Sequence, residues 1–276
     1  SHILSGAVFE PKTLFDLFPE DAKDCPTLKT PVAKDDLYWL TNNNKSIKIP
    51  SWLMPKSLHN KGNYIISLGE LCQWISEKAM ELGVDIFPGF PAQKYLTDES
   101  GRVIGIATGD MGIDKEGNHK GTYTPGMDIL AKQTIFAEGA RGHLGKKLIK
   151  AFNLDEGKTP QHFAIGFKEV WEVDNDKHSP GDVVHTMGWP LKGGTSGGGF
   201  LYHFDSNRIA VGLIVDLNYS NPSHSPFQEF QQFKQHPSIK QYLESGKRVS
   251  YGARAITKGG INSLVKMEFD GGMIVG

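Results

Sequence analysis

The feature that most constrains the fold is a glycine-rich stretch in the second half of the chain, PLKGGTSGGGFLYHF at 190–204. Five of the seven residues at 193–199 are glycine, and the flanking residues are typical of β-strands. A hairpin turn needs only one or two glycines. Two interpretations are therefore open: a flexible or tightly turned hairpin tip, or a strand of bare backbone against which a flat ligand lies.

The second interpretation predicts the chemistry of the ligand. Exposed backbone N–H and C=O groups would hydrogen-bond to a ligand, and Trp189, Phe200 and Tyr202 would form an apolar wall. A quinone is flat, carries carbonyl oxygens and is otherwise apolar, so it fits this description. His185 and His203 flank the stretch without any metal-ligand spacing, and we interpret them as structural residues.

The order of the periodic segments predicts a mixed fold, α+β with α/β units. SLGELCQWISEKAMELGVDIFPG (67–89) predicts an amphipathic helix that ends at Gly83 and a strand, VDIFPG, after it. β-rich segments separated by turns follow over 162–219 and predict an antiparallel sheet. The segment 226–245 predicts a helix that is interrupted near Pro237.

Composition and motifs exclude several function classes. The 276 residues carry a net charge of −1, so a nucleic-acid partner is not expected. Cys25 and Cys72 are the only cysteines and lack CxxC spacing, so we expect two reduced thiols and no cysteine-rich metal site. The sequence has no apolar run of membrane-spanning length, no signal peptide and no GxGxxG, GxxxxGKS/T or HExxH motif.

Two further segments carry weaker signals. TIFAEGARG (134–142) predicts a strand that ends at Glu138 and Gly139 and turns into a helix, which suits either a cofactor contact or an ordinary strand–turn–helix corner. The Phe/Leu-rich residues within 2–20 predict a short amphipathic helix, which lies either in a membrane interface or on the protein core.

Seven ordered segments extend over nearly the whole chain: LSGA (4–7), HNKGNYIISLGELCQWISEKAMELGVDIFPG (59–89), TIFAEGARGHL (134–144), HTMGWPL (185–191), GGGFLYHF (197–204), SPFQEFQQFKQHPSI (225–239) and GKRVSYGARAI (246–256). Together they resemble the electron-transfer flavoprotein:ubiquinone oxidoreductase family. This resemblance implies an FAD domain of the glutathione-reductase/hydroxylase type, an antiparallel-sheet ubiquinone-binding domain and an iron–sulfur domain.

The resemblance also implies an activity and its site residues. The family passes electrons from reduced electron-transfer flavoprotein to membrane ubiquinone, with FAD and a 4Fe-4S cluster as cofactors. On its pattern, Gly197 and Gly198 bind ubiquinone, Glu138 and Gly139 contact FAD, and 2–20 covers a shallow membrane segment. Because the cofactors carry the electron transfer, we expect no acid–base catalytic residue and no metal ligand in this chain. The family implies a monotopic protein of the mitochondrial inner membrane in eukaryotes, or of the cytoplasmic membrane in bacteria.

The resemblance predicts domain limits as well. Residues 1–158 are expected to be mostly a portion of the FAD domain, with the membrane-interface helix near 2–20. Residues 159–256 are expected to form the ubiquinone-binding domain, and 257–276 to be strands that return to the FAD domain. The chain does not begin with Met, so we expect an internal part of a longer protein. The GxGxxG unit would then precede this part, and the cluster cysteines would follow it.

Two other functions are open at this point. A related FAD-dependent lipid reductase or aromatic hydroxylase would share the AEG turn at 137–139 and act on a lipid or aromatic substrate. A non-catalytic peripheral membrane-binding module would use the helix near 2–20 and would bind neither flavin nor quinone.

Overall fold

The computed structural model describes residues 6–275, and its backbone contacts divide the chain into two units. The first unit runs to Asp85 and resumes over Phe163–Ile256, and the second comprises Ile86–His162 and the residues from Thr257 on. Positions 2–5 of the predicted membrane segment lie outside the described residues. Between residues 6 and 275, no helix is long and apolar enough to cross a bilayer.

The described residues form eighteen strands and five α-helices, numbered here in chain order. The strands are β1 (Ala7–Phe9), β2 (Thr30–Pro31), β3 (Lys34–Leu40), β4 (Ser46–Ile49), β5 (Tyr64–Ile66), β6 (Ala92–Thr97), β7 (Val103–Thr108), β8 (Met111–Ile113), β9 (His119–Thr124), β10 (Asp128–Leu130), β11 (Thr134–Phe136), β12 (Phe163–Glu172), β13 (Asp182–Gly188), β14 (Gly197–Phe204), β15 (Arg208–Asp216), β16 (Lys247–Thr257), β17 (Glu268–Phe269) and β18 (Gly272–Ile274). The helices are α1 (Lys12–Leu17), α2 (Leu68–Glu81), α3 (His143–Ala151), α4 (Pro226–Gln235) and α5 (Pro237–Leu243).

A seven-stranded sheet dominates the first unit, in the order β16-β12-β15-β14-β13-β3-β4. Strands β12, β15, β14 and β13 pair antiparallel and correspond to the β-rich segments of the sequence. β3 joins β13 in parallel, and β4 returns along β3 as an antiparallel neighbour. The predicted antiparallel sheet is thereby confirmed, with one parallel pair that the sequence pattern did not indicate.

Helices α4 and α5 cover one face of this sheet, which we call the helix face. Pro226 begins α4 after Ser225, whose Oγ accepts a hydrogen bond from the Gln228 amide at 3.4 Å. Phe230 and Phe233 of α4 are fully buried against sheet residues. Because alternate strand residues point to opposite sides, the other residues of each strand form a second face, which we call the open face because no described helix covers it. Part of this face is buried against Val8 of β1 and Ile65 of β5.

The first unit has another apolar cluster around α1 and α2. Leu14 of α1 is buried with Ile66 and with Trp74 of α2, and the Phe18 ring meets the Trp74 ring edge-on at 5.2 Å. Leu17 of α1 is exposed. The predicted amphipathic helix therefore packs on the core through Leu14 and Phe18, whereas Leu17 does not.

The strand predicted at VDIFPG is wrong. Helix α2 ends close to Gly83 as expected, but the residues after it have no strand assignment and pair with no described strand. Val84 and Phe87 are exposed. A β-strand is stabilised by pairing with a neighbouring strand, and no described strand pairs with the VDIFPG segment.

The second unit consists of small sheets and one helix. Its sheets are β10-β7-β6, the pair β8-β9, and β11-β18-β17, in which β11 and β18 run parallel. Helix α3 buries Leu144 and Leu148 against Val103 and Phe136. The strand–turn–helix predicted around 134–153 is thus confirmed.

The contact division groups the chain differently from the predicted domain limits of 1–158, 159–256 and 257–276. Residues up to Asp85 group with Phe163–Ile256 because β3 and β4 complete the seven-stranded sheet. The domain limits stay a prediction.

Candidate functional site

The glycine-rich stretch is the turn between β13 and β14 together with the first part of β14. Gly193 and Gly194 have φ values of +62° and +79° and form the turn. Residues other than glycine rarely adopt such φ values, so glycine is favoured at both positions. The hairpin interpretation accounts for these two residues.

Close packing accounts for the three glycines of β14. A side chain at Gly199 would overlap the Phe233 ring on the helix face. Gly197 has a φ of +154°, and a side chain there would overlap the Ile214 carbonyl. A Cβ at Gly198 would lie 2.8 Å from the carbonyl oxygen of Thr186. Close packing therefore favours glycine at all three positions even without a ligand.

The backbone of Gly197 lies where the sheet opens. The pairing of β13 with β14 ends at Thr186–Gly199, whereas β14 pairs with β15 as far as Gly197. The Ser196 carbonyl accepts a hydrogen bond from the Asp216 amide at 2.9 Å, on the β15 side. Successive strand residues direct their backbone groups to opposite sides, so those of Gly197 point to the side that β13 has left. A ligand carbonyl can be hydrogen-bonded there.

Two of the three predicted wall residues share the open face. The Phe200 and Tyr202 rings stack with their centres 4.7 Å apart, and alternation places Gly198 on the same face. Trp189 instead packs with the helix-face cluster, its ring 5.6 Å from that of His236. The apolar wall beside the glycines therefore consists of Phe200 and Tyr202 without Trp189.

A group of polar side chains lies beside this wall, and the sequence indicated only His185 of it. His185 Nε2 is 2.9 Å from the Tyr202 hydroxyl, and its Nδ1 is 3.8 Å from Asp35 Oδ1. Asp35 Oδ2 accepts hydrogen bonds from the backbone N and Nδ2 of Asn60, both at 2.9 Å. Burial lowers the pKa of His185, which the Asp35 carboxylate opposes, and burial raises the pKa of Tyr202. The imidazole and the phenol are therefore both neutral at pH 7.

Lys168 brings a positive charge to the same face. It lies opposite Gly212, which in turn lies opposite Phe200, and its Nζ is 5.6 Å from the centre of the Phe200 ring. The Nζ donates a hydrogen bond to the Gly6 carbonyl at 2.6 Å. Burial lowers the pKa of Lys168. Sequence reasoning missed both Lys168 and Asp35, because only strand pairing brings them to His185 and Phe200.

The predicted cofactor residues Glu138 and Gly139 lie in the second unit, after β11. Glu138 accepts hydrogen bonds from the backbone amides of Leu144 at 3.3 Å and Gly145 at 2.7 Å. It therefore caps helix α3, a contact that typically contributes ~1 kcal/mol. Gly139 has a φ of +76°, and a Cβ there would meet nothing within 4 Å.

The described residues fit an FAD site in part. The open turn at Gly139 leaves room for a ligand beside the backbone, whereas the Glu138 carboxylate is occupied by α3. The sequence has no GxGxxG loop, which would hold the pyrophosphate. The described residues would therefore form at most one edge of such a site. The FAD contacts of Glu138 and Gly139 stay a prediction.

A 4Fe-4S cluster does not fit the residues of this chain. Such a cluster needs four cysteine thiolates, and the sequence has two cysteines. Cys25 is buried, Cys72 is exposed, and both are free thiols. Among residues 6–275, no three His, Cys, Asp or Glu side chains are grouped to hold a metal ion.

Comparison with known proteins supports the family resemblance. Residues 163–256, from β12 into β16, match the family described as ETF-QO, ubiquinone-binding. The whole chain is 58% identical to the electron transfer flavoprotein-ubiquinone oxidoreductase of Pseudomonas aeruginosa and covers 50% of it. It is 46% identical to the mitochondrial protein of that name from Homo sapiens, of which it covers 45%. The chain thus spans about half the length of these relatives. The family resemblance is confirmed.

Solved structures share the fold. One is a geranylgeranyl bacteriochlorophyll reductase-like protein from Thermoplasma acidophilum, with a TM-score of 0.66 and 16% identity. The alignment covers 98% of this chain and 59% of that protein. Another is the flavin-dependent halogenase CmlS, with a TM-score of 0.60 and 11% identity. The alignment covers 99% of this chain and 46% of CmlS. At such identity the likeness concerns the fold alone. The predicted fold class, an FAD-binding-type mixed fold with an antiparallel sheet, is confirmed.

Proposed function

We propose that this chain, which is related along its whole length to the electron transfer flavoprotein-ubiquinone oxidoreductases, is part of an enzyme that passes electrons from reduced electron-transfer flavoprotein to ubiquinone. The observation that carries the proposal is the ubiquinone-binding family match over 163–256, which contains Gly197 and Gly198. The relatives named for this activity favour it over a lipid reductase, a hydroxylase or a non-catalytic module.

The quinone head group would lie at the opening between β13 and β14. The backbone groups of Gly197 point into this opening and would hydrogen-bond one quinone carbonyl. Phe200 and Tyr202 would provide the apolar contact, and Gly198 would keep side-chain atoms away from the head group. FAD, when bound, would supply the electrons. The residues of this chain bind and orient the quinone.

The remaining parts of the proposal concern cofactors, partners and location. The enzyme would use FAD, and a 4Fe-4S cluster whose ligands lie outside this chain. It would accept electrons from electron-transfer flavoprotein at a membrane surface as a monotopic protein. The surface would be that of the mitochondrial inner membrane in a eukaryote, or of the cytoplasmic membrane in a bacterium. Relatives named as mitochondrial support the first location.

The test measures quinone reduction by the full-length protein containing this chain, with reduced electron-transfer flavoprotein as donor and a short-chain ubiquinone as acceptor. Gly198→Ala adds a methyl group where the head group would lie. We expect the KM for the quinone to rise about tenfold or more, which corresponds to ~1.4 kcal/mol of lost binding. Reduction of a small one-electron dye by the same variant should keep its rate.

Gly199→Ala is the matched control, because its methyl group strains the same strand from the helix face. Both variants are compared as folded protein, checked by circular dichroism. An unchanged quinone KM in Gly198→Ala, or an equal rise in the control, would refute the role of Gly198. A wild-type protein that accepts no electrons from reduced electron-transfer flavoprotein would refute the activity itself.

A further inference from the structure

Three titratable side chains form a row across the open face, and the proposed quinone contact makes no use of their polar atoms. Asp35 of β3, His185 of β13 and Tyr202 of β14 lie on neighbouring strands. His185 Nε2 is 2.9 Å from the Tyr202 hydroxyl, and His185 Nδ1 is 3.8 Å from Asp35 Oδ1. Asp35 is held in place by Asn60, which donates two hydrogen bonds to its Oδ2. We call Asp35, His185 and Tyr202 the polar row.

The register of the strands places the polar row beside the candidate quinone site. Tyr202 lies opposite Val183, yet its hydroxyl meets His185, two residues further along β13 towards the opening. The phenol therefore leans over Phe200, with which its ring stacks. Phe200 lies opposite His185, and alternation makes it the neighbour of Gly198 on the open face. The Tyr202 hydroxyl is thus brought towards the place of the head group.

The polar row joins a partly accessible end to a buried end. The side chains of Asp35 and His185 are 16% and 22% exposed, whereas the Tyr202 ring packs on the buried cluster around Phe204. Asp35 Oδ1 and His185 Nδ1 face each other, and neither has a hydrogen-bond partner among the described residues. A proton on Nδ1 would join the two groups, so the row can take up a proton from water at this end.

The charges around the polar row leave its phenol protonated. Asp35 is a negative charge that faces both His185 and Tyr202 from β3. Lys168 of β12 brings a positive charge to within 5.6 Å of the Phe200 ring centre. Burial lowers the pKa of His185 and raises the pKa of Tyr202, so the phenol keeps its proton at pH 7. A neutral phenol can give this proton to an oxygen that becomes negative.

We propose that the polar row supplies a proton for quinone reduction and that Tyr202 is the residue that gives it to the quinone. The two carbonyl oxygens of a quinone lie at opposite ends of its ring. When one is hydrogen-bonded by the backbone of Gly197, the other is directed along the open face towards Phe200 and the Tyr202 hydroxyl. The inference rests on the proposed function. It adds an acid–base residue that the family resemblance did not imply, because a quinone takes up protons as well as electrons.

The chemistry of the polar row balances as follows. Reduction of the quinone to the hydroquinone adds two electrons, which come from a reduced flavin, and two protons. With a proton on His185 Nε2, the imidazole donates a hydrogen bond to the phenol oxygen and leaves the phenol O–H free for the quinone oxygen. When that oxygen takes the phenol proton, the Nε2 proton moves to the Tyr202 oxygen, and a proton from water enters at Nδ1 beside Asp35. The second quinone oxygen takes its proton from water at the opening of the sheet, and exchange with water returns the imidazole to its first tautomer.

The experiment measures reduction of a short-chain ubiquinone by the full-length protein containing this chain, with reduced electron-transfer flavoprotein as donor. Tyr202→Phe removes the hydroxyl and keeps the ring that stacks on Phe200. We expect kcat to fall about tenfold or more, with a smaller rise in the quinone KM, because the hydroxyl acts as a general acid. Ferrocenium, which accepts one electron and no proton, should be reduced at the wild-type rate.

The pH dependence separates proton supply from packing. Between about pH 6 and pH 8, kcat for the quinone should change little in wild type, whereas in Tyr202→Phe it should fall steeply as the pH rises, because acid from water must replace the phenol. His185→Gln can still hydrogen-bond to Tyr202 but cannot pass on a proton, and its kcat should behave in the same way. Infrared spectra of the bound quinone give a readout without turnover. The hydrogen bond from Tyr202 should lower the stretching frequency of one carbonyl, and Tyr202→Phe should abolish this shift.

Tyr38→Phe is the matched control, because the Tyr38 hydroxyl donates a hydrogen bond to Asp36 at 3.3 Å and its ring packs with the helix-face cluster of the same sheet. Circular dichroism checks that each variant is folded, and His185→Gln decides by the same criteria if Tyr202→Phe is not. The inference is overturned by a kcat within about twofold of wild type, by an equal loss with ferrocenium or in the control, or by an unshifted carbonyl band. The proposed function then stands. A wild-type protein that reduces ferrocenium but no ubiquinone would refute the proposed function itself.

Discussion

Glu169 of β12 carries the most demanding electrostatic arrangement in the first unit. Its side chain is only 3% exposed on the helix face. Its Oε2 accepts hydrogen bonds from Lys234 Nζ at 2.8 Å and from Trp171 Nε1 at 2.9 Å, and its Oε1 accepts one from Arg248 at 3.1 Å. Lys234 is also nearly buried, so Glu169 is the carboxylate that neutralises a desolvated ammonium group.

The change Glu169→Gln removes this negative charge and leaves Lys234 buried without a counter-charge. Removing one partner of a buried ion pair costs about 3–5 kcal/mol. We expect the low end, ~3 kcal/mol, because the glutamine can still accept a hydrogen bond from Trp171. Arg248 contributes little to the difference, since its side chain is 46% exposed and pairs near the surface are worth ~1 kcal/mol or less.

The assay is urea unfolding, followed by tryptophan fluorescence, of wild type, Glu169→Gln and the double variant Glu169→Gln/Lys234→Met. The methionine removes the buried ammonium, so the double variant should regain most of the lost stability and lie within ~1 kcal/mol of wild type. Arg248→Gln serves as a control and should lose less than ~1 kcal/mol.

Two results would refute this reasoning. A loss below ~1 kcal/mol in Glu169→Gln would mean that the Lys234 ammonium is solvated in the variant. A double variant as unstable as Glu169→Gln would mean that the loss comes from packing and not from the uncompensated charge.

The remaining predictions concern His203 and Gly199. Burial lowers the pKa of the fully buried His203 from 6.5 to about 4, so its neutral form stabilises the fold above pH 6.5 and this stability is lost as the pH falls towards 4. The free energy of unfolding should fall by ~3 kcal/mol over that interval, and His203→Gln should flatten the pH profile; an equally steep profile in the variant would contradict this. Gly199→Ala should cost about 1–3 kcal/mol because its methyl group meets Phe233, and Gly199→Ala combined with Phe233→Leu should recover part of the loss in thermal unfolding, whereas no recovery would argue against the clash.

Much of the local structure could be predicted because its cause is local. Ser225 and Pro226 mark the start of α4, Pro237 separates it from α5, and the alternation within 162–219 indicates strands. The strand predicted at VDIFPG failed for the opposite reason. A strand depends on a neighbour, and no property of those six residues shows whether one is present.

The candidate site was likewise predictable only in part from the sequence. The five glycines at 193–199 left two interpretations open, a hairpin turn and a close approach to the backbone. The structure shows a turn at Gly193 and Gly194 and close packing over 197–199. The sequence could not show that Phe233 and the Ile214 carbonyl are among the neighbours, because both come from other elements. For the same reason it could not indicate the approach of Asp35 and Lys168 to the open face.

The sequence alone indicated the family resemblance, the mixed fold class and two reduced cysteines, because these depend on residue identity, order and number. Only the tertiary structure decided which face of the sheet packs against α4 and α5, and where β13 leaves β14. The physical reason is that strand pairing joins residues far apart in the chain, and that pairing is set by the packing of the whole unit.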